Sequence, residues 1–142
     1  MTTSRDAGQP LPAPILPDAW KRGMGYAHGM TARGRIVTTA GEIGWDPITN
    51  LIASDDLATQ AAQALRNVVA ILHAAGAGPE HVVRLTWYIT SRDEYLAAGS
   101  ALGLAYRAAM GSYYPAMSVV VVAALLEPRA KVEIEATAIV PE

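Results

Sequence analysis

Two stretches of the chain repeat their apolar residues with the period of an amphipathic helix. Asp55 or Asp56 can cap the start of the first, and Gly76 closes it. The second follows Ser91-Arg92-Asp93-Glu94, which has the pattern of a capping box, and it ends at Gly111. The apolar positions are Leu57, Ala61, Ala64, Leu65, Val68, Ile71 and Leu72 in the first stretch, and Tyr95, Ala98, Leu102, Ala105 or Tyr106, and Ala109 in the second. Each stretch predicts one helix.

The remaining stretches have the patterns of strands. A glycine-punctuated segment, Gly23 to Ile43, predicts a hairpin around the turn at Arg33-Gly34. Residues Val82–Ile89 (VVRLTWYI) predict a strand, and the aliphatic run Val119–Ala124 predicts a buried strand. Residues Lys131 to Val140 alternate strictly, which places Glu133, Glu135 and Thr137 on one face of a strand and small or aliphatic residues on the other.

These elements predict a two-layer α+β fold, in which two helices cover one face of a mixed β-sheet. No third layer of helices is available for the other face, which points to association between subunits. The proline-rich leader (residues 1–19) is expected to be extended without repetitive structure. Residues 20–142 are expected to form a single domain.

Composition supports association and excludes several classes of function. The chain has 142 residues, of which 51% are hydrophobic, and it contains no Phe, so it holds more aliphatic material than a small monomer easily buries. The formal net charge of -2 provides no basic surface, and we therefore expect no nucleic-acid partner. The absence of Cys excludes disulfides and thiolate chemistry.

No segment predicts a membrane or secretory role. The leader has no apolar core like that of a signal peptide, and the longest aliphatic run, Val119 to Leu126, is far shorter than the roughly 20 residues of a transmembrane helix. We therefore expect a soluble, cytoplasmic protein with no membrane partner. The three histidines have no metal-ligand spacing, so no metal site is predicted.

Two groups of residues could carry chemistry. Tyr26, His28, Glu42 and Trp45 flank the glycine-rich segment and form either a satisfied surface cluster or the wall of a small-molecule pocket. Glu133 lies on the polar face of the last strand, which is either solvated or turned into an oligomer, where the carboxylate could serve as a general base.

The order and spacing of several motifs resemble the Rid (YjgF) family of reactive-intermediate deaminases, over about Gly25 to Val140. The similar stretches are Gly25-Tyr26-Ala27-His28 (family G-P-Y-S-Q), Gly34 to Ile43 (a strand ending S-G-Q-I), Asp46 to Asn50 (D-P-x-T-G), Gln60 to Gly76 (Q-x-x-x-x-L-x-N-x-x-x-x-L-x-x-A-G), Tyr114 to Ser118 (containing P-A-R-S) and Val132 to Ala136 (V-E-I-E-A).

The resemblance implies a chorismate-mutase-like fold assembled as a homotrimer, with ligand clefts between subunits. It implies hydrolysis of enamines or imines to a 2-oxo acid and ammonia, without metal or organic cofactor. Glu133 matches the glutamate that handles the attacking water. Tyr26 matches the pocket tyrosine, and Gly41 matches the glycine of the S-G pair, whose serine is replaced by Ala40.

The chain departs from the family at the substrate clamp. Met117 stands where P-A-R-S has its arginine, and Val119 replaces a frequent cysteine. A thioether cannot donate two parallel hydrogen bonds to a carboxylate. The sequence therefore predicts a divergent hydrolase or deaminase for an enamine- or imine-type metabolite other than the usual 2-imino acid, with Arg35, Arg84 and Arg92 as possible replacements for the clamp.

A second interpretation is a non-catalytic trimer that binds a small metabolite as a sensor or accessory protein. The loss of the clamp arginine favours it, and it predicts ligand-induced thermal stabilisation without turnover. A ribonuclease activity, which is sometimes attached to the family name, is disfavoured by the acidic charge balance.

Overall fold

A computed structural model of the protein describes residues 10–142, which form seven strands and three α-helices. In chain order these are β1 (Ala13–Ile15), β2 (Gly29–Thr31), β3 (Arg35–Thr38), β4 (Glu42–Ile43), α1 (Leu57–Ala74), β5 (Val82–Ile89), α2 (Arg92–Ala97), α3 (Gly99–Met110), β6 (Ala116–Val121) and β7 (Val132–Val140). A single 3-10 turn, Pro79–His81, precedes β5.

The main sheet has the strand order β3-β7-β5-β6, and β4 pairs with β7 beside β3. Strands β5 and β6 run parallel, whereas β7 is antiparallel to β3, β4 and β5. This mixed sheet with helices against one face confirms the predicted α+β class.

The core lies between this sheet and the helices, and β5 and β7 show why. Their residues largely alternate between buried and more exposed positions, and Leu85 and Ile134 are fully buried in the same core as Leu65 of α1. The intervening residues of β7, among them Glu133, Glu135 and Thr137, lie on the face without helices, as the alternation predicted. We call this face the open face.

The ends of α1 agree with the caps predicted from the sequence. The side chain of Asp56 accepts a hydrogen bond from the Thr59 amide at 2.9 Å, which makes it the N-cap. At the other end, Gly76 adopts a φ of +73°, a conformation that favours glycine. Arg35 on β3 donates to the Ala75 carbonyl at 2.9 Å and satisfies one of the free helix-end carbonyls.

The predicted pairing of the N-terminal strands is wrong. Strands β2 and β3 flank the Arg33-Gly34 turn but do not pair with each other: β2 pairs with β1, and β3 pairs with β7. The leader therefore contributes a strand where none was predicted. Pro14 is tolerated in β1 because that strand has a single partner, so its missing N–H can lie on the unpaired side.

The predicted second helix is divided in two. Helix α2 ends at Ala97, and α3 starts at Gly99. Ala98 between them has φ -91° and ψ 8°, and glycine at the next position weakens helix continuity. Ser91 accepts from the Glu94 amide as predicted, but the Glu94 carboxylate bonds Lys131 at 3.0 Å.

Two buried amide side chains of α1 hold the loops around β4 and β7. Gln60 donates to the carbonyls of Ser54 and Arg129, and its Oε1 accepts from the Lys131 amide at 2.8 Å. Asn67 donates to the carbonyls of Ile43 and Trp45. These two amides make the hydrogen bonds that water would otherwise make to the backbone groups of the loops. This gives a physical reason for a Gln and an Asn in this helix.

Candidate functional site

The site predicted around Glu133 begins with an irregularity between β3 and β4. Thr38 pairs with Thr137, but Glu42 pairs with Ile134, so the register on β7 shifts by one residue. The hydroxyl of Thr39 closes this bulge, because it accepts from the Ala136 amide at 3.0 Å and donates to the Ala40 carbonyl at 2.8 Å. The bulge sets the backbone of Ala40 and Gly41 against β7.

Gly41 leaves room for the carboxylate of Glu133. A Cβ at position 41 would lie 1.9 Å from Glu133 Oε1, which is far shorter than any non-bonded contact. One of the two groups would therefore have to move. The requirement is steric, since the carboxylate lies where any side chain of residue 41 would begin. Glycine at this position thus leaves free the space that the Glu133 carboxylate occupies.

A second carboxylate lies next to Glu133. Burial raises the pKa of Glu42, a hydrogen bond with the Trp45 side chain lowers it, and the nearby Glu133 charge raises it; the net shift is upward. Glu42 therefore holds a proton more readily than an ordinary glutamate. Glu42 thus lies near both Trp45 and Glu133, whereas Tyr26 and His28, the other members of the predicted cluster, lie elsewhere.

Glu133 differs from the other glutamate on the same face of β7. Glu135 accepts a hydrogen bond from Tyr88 Oη at 2.8 Å. The hydrogen bond to Glu135 raises the pKa of Tyr88, so the phenol stays protonated as the donor. Within residues 10–142, no side-chain hydrogen bond or ion pair engages Glu133. Sequence reasoning missed Tyr88, whose place beside Glu133 depends on the pairing of β5 with β7.

Met117 and Val119 do not face Glu133 within one chain. They pair with Leu85 and Trp87, which are buried on the helix side of the sheet, and Met117 packs against the core. Glu133 lies on the open face. The far edge of β6 has no strand partner along Met117–Val121 in the described part of the chain. Within one chain, Met117 and Val119 therefore do not share a pocket with Glu133.

Tyr26 and His28 lie at the opposite end of the sheet from Glu133. His28 lines a small pocket of about 330 Å³ together with Thr137 and Arg84. Thr137 lies four positions after Glu133 along extended β7, which corresponds to about 13 Å. Tyr26 and His28 also line a larger cleft, of about 640 Å³, between the β1–β2 hairpin and the segment 112–115 that follows α3.

The possible replacements for the clamp arginine have different environments. Arg35 is engaged at the end of α1, and Arg92 opens α2 on the surface. Arg84 lines the small pocket, and Arg22, which sequence reasoning overlooked, lines the larger cleft. In the region that the structure describes, no three His, Asp or Glu side chains are grouped so that they could hold a metal ion. None of the helices there is long and apolar enough to cross a membrane.

Comparisons with known proteins define the class to which this fold and site belong. The family model described as Endoribonuclease L-PSP matches residues 18–140. A 2-iminobutanoate/2-iminopropanoate deaminase of Salmonella typhimurium is 37% identical over 114 residues, which cover 80% of this chain and 86% of that protein. The RutC family protein slr0709 of Synechocystis is 34% identical over 131 residues, 92% of this chain and 91% of its own.

Solved structures agree with the sequence comparison. The Rid-family protein YyfB from Yersinia pestis superposes with a TM-score of 0.79 at 31% identity, covering 91% of this chain and 98% of its own. The YjgF gene product of Escherichia coli gives a TM-score of 0.64 at 31% identity, covering 89% and 98%. The chain belongs to the Rid/YjgF family and has its chorismate-mutase-like fold, as the motifs indicated.

Proposed function

We propose that this protein is a hydrolase of the Rid type, which converts an enamine- or imine-type metabolite to a carbonyl compound and ammonia in a cleft between subunits. The names of the deaminase relatives support this reaction class. The observation that carries it is the placement of Glu133, whose carboxylate rests on Gly41 beside Glu42 and is free of side-chain partners among the described residues.

Imine hydrolysis requires a base that removes a proton from the attacking water and an acid that gives a proton to the imine nitrogen. Glu133 takes a proton from a water molecule as the water oxygen attacks the carbon of the C=N bond, and Glu42, whose pKa is raised by burial, gives its proton to the nitrogen, so that a carbinolamine forms. Glu133 then passes its proton to the amine, and the carbinolamine hydroxyl returns a proton to the Glu42 carboxylate. The C–N bond breaks, ammonia leaves, and the carbonyl forms.

The pocket is completed by other copies of the chain, and we propose a homotrimer. Tyr26 and His28 of one copy, and Met117 and Val119 on the open edge of β6, meet the Ala40–Glu42 and Trp45 wall across the interface. Within one chain these groups lie at separate places, so no single chain assembles the pocket. Because Met117 cannot clamp a carboxylate, the substrate is not the usual 2-imino acid held at that position.

A pair of glutamine variants tests the chemistry. Imines generated in situ by an amino-acid oxidase are supplied to the wild-type protein, to Glu133→Gln and to Glu135→Gln. We expect Glu133→Gln to lower kcat by about a hundredfold or more, because general-base catalysis contributes that much. Glu135→Gln is the matched control and should retain activity, since Glu135 is engaged by Tyr88. If Glu133→Gln leaves every detected activity intact, the mechanism is wrong.

A non-catalytic metabolite-binding protein is the second candidate. The observation that favours it is Met117 at the clamp position. It predicts that a metabolite raises Tm with no turnover in any imine assay. Sedimentation analysis tests the trimer that both candidates require.

A further inference from the structure

The larger cleft, which we call the hairpin cleft, has the size of a small-molecule site. Its volume of about 640 Å³ lies within the range of ligand pockets. One wall is the β1–β2 hairpin with the segment that joins its strands, and the other is the segment 112–115. The apolar lining comes from prolines, Ile15, Leu16 and three tyrosines, Tyr26, Tyr113 and Tyr114.

The wall formed by residues 112–115 is fixed by a buried tyrosine. The ring of Tyr106 stacks on that of Tyr114, with centroids 5.0 Å apart and planes 14° from parallel. The Tyr106 hydroxyl donates to the Tyr113 carbonyl, and Pro115 is fully buried. The ring of Tyr114 is therefore held in place before any ligand arrives, which lowers the entropy cost of stacking a flat molecule nearby.

The opposite wall is fixed through His28. Its Nε2 donates to the Lys21 carbonyl at 3.1 Å, since a carbonyl can only accept. Edge-on contacts from the Trp20 and Tyr26 rings hold the imidazole on two sides, with centroids 5.2 and 5.3 Å away. The backbone next to Lys21 is thereby anchored, and Arg22 follows directly.

The lining of the cleft contains one guanidinium that is free to bind an anion. Arg22 is permanently charged, and no carboxylate within residues 10–142 forms an ion pair with it. Glu80 also lines the cleft, and its carboxylate lies near Gly78 and 3.8 Å from His81 Nδ1 rather than on Arg22. A guanidinium free to form two parallel hydrogen bonds matches a carboxylate.

We propose that the hairpin cleft binds the carboxylate end of a planar, conjugated ligand, with Arg22 as its anchor and the tyrosines against its flat body. In describing that ligand as a substrate, the inference rests on the proposed function. It adds a substrate class, an enamine or imine conjugated with an aromatic or similar flat group. It also places the anion contact on a different element from Met117.

Binding of a stable probe tests the cleft without requiring turnover. Calorimetry with the full chain compares cinnamate, a planar carboxylate, with its neutral amide and with cyclohexanecarboxylate, which is not planar. Arg22→Gln should weaken cinnamate binding by about ten- to a hundredfold, as expected for the loss of a charged hydrogen-bond partner. Arg33→Gln, an equal change of charge at an exposed residue outside the cleft, should leave binding unchanged.

The outcomes separate this proposal from the proposed reaction. Equal binding of cinnamate and its amide, no measurable binding, or an equal effect of Arg22→Gln and Arg33→Gln would overturn the anion site. If Glu133→Gln keeps full turnover while Arg22→Gln loses cinnamate, the hydrolytic mechanism fails and the cleft stands. If Glu133→Gln loses turnover while Arg22→Gln binds cinnamate normally, the hydrolytic mechanism stands and the anion site fails.

Discussion

Replacing Gly41 with alanine tests whether the position of Glu133 controls activity. The new methyl group would lie 1.9 Å from Glu133 Oε1, so the carboxylate must withdraw by about 1.5 Å to reach ordinary van der Waals contact. A misplacement of about 1 Å can cost about a hundredfold in rate. Since φ of Gly41 is not in the left-handed region, alanine is tolerated by the backbone itself. We therefore expect Gly41→Ala to fold and to lower kcat by about a hundredfold.

The assay is the oxidase-coupled imine assay, and a thermodynamic cycle isolates the cause. If the methyl group acts by displacing the carboxylate, Gly41→Ala should lower Tm in the wild-type background but not in the Glu133→Ala background, where no carboxylate is present to clash. The reasoning is refuted if Gly41→Ala keeps wild-type kcat. It is equally refuted if the Tm loss is the same in both backgrounds.

Two further predictions concern stability. Gln60→Leu keeps the side-chain size but leaves the Ser54 and Arg129 carbonyls and the Lys131 amide without their partner. We expect urea denaturation to show that the free energy of unfolding falls by about 3 kcal/mol. An unchanged denaturation midpoint would contradict this. The raised pKa of Glu42 means that the folded state binds its proton more tightly than the unfolded state does. The stability that this proton contributes is therefore lost as pH rises above 4.5, the ordinary pKa of a glutamate. Glu42→Gln has no proton to lose in this range, so the free energy of unfolding of the variant should rise relative to that of the wild type between acidic and neutral pH. A difference that stays constant with pH would contradict this prediction.

The periodic elements were predictable because their pattern is set by burial of one face. Strand β5 has the predicted bounds, and α1 begins at the predicted cap. The alternation of β7 placed Glu133 on the correct face. The pairing of β2 was not predictable, because turn residues at Arg33-Gly34 indicate a reversal of the chain but do not determine which strand each arm joins.

The sequence singled out candidate site residues, but it did not indicate how they are arranged. The motifs singled out Gly41 and Glu133, but their contact arises from the Thr39 bulge, which has no periodic signal. The separation of Tyr26 from Glu133 depends on where the hairpin crosses the sheet. Arg22 stands in a segment without any motif, and only the shape of the cleft reveals it.

The hydrogen bond from the Lys131 amide to Gln60 has a consequence for how β7 folds. Lys131 immediately precedes β7, and only Val132 separates it from Glu133. Side chains alternate between faces, so a slip of one residue would turn the glutamates toward the helices and the aliphatic residues toward the open face. The side-chain amide of Gln60 in α1 thus helps to set the register of β7 at its first residue. An error at that point would bury Glu133, and the chain would lose its candidate base together with its core.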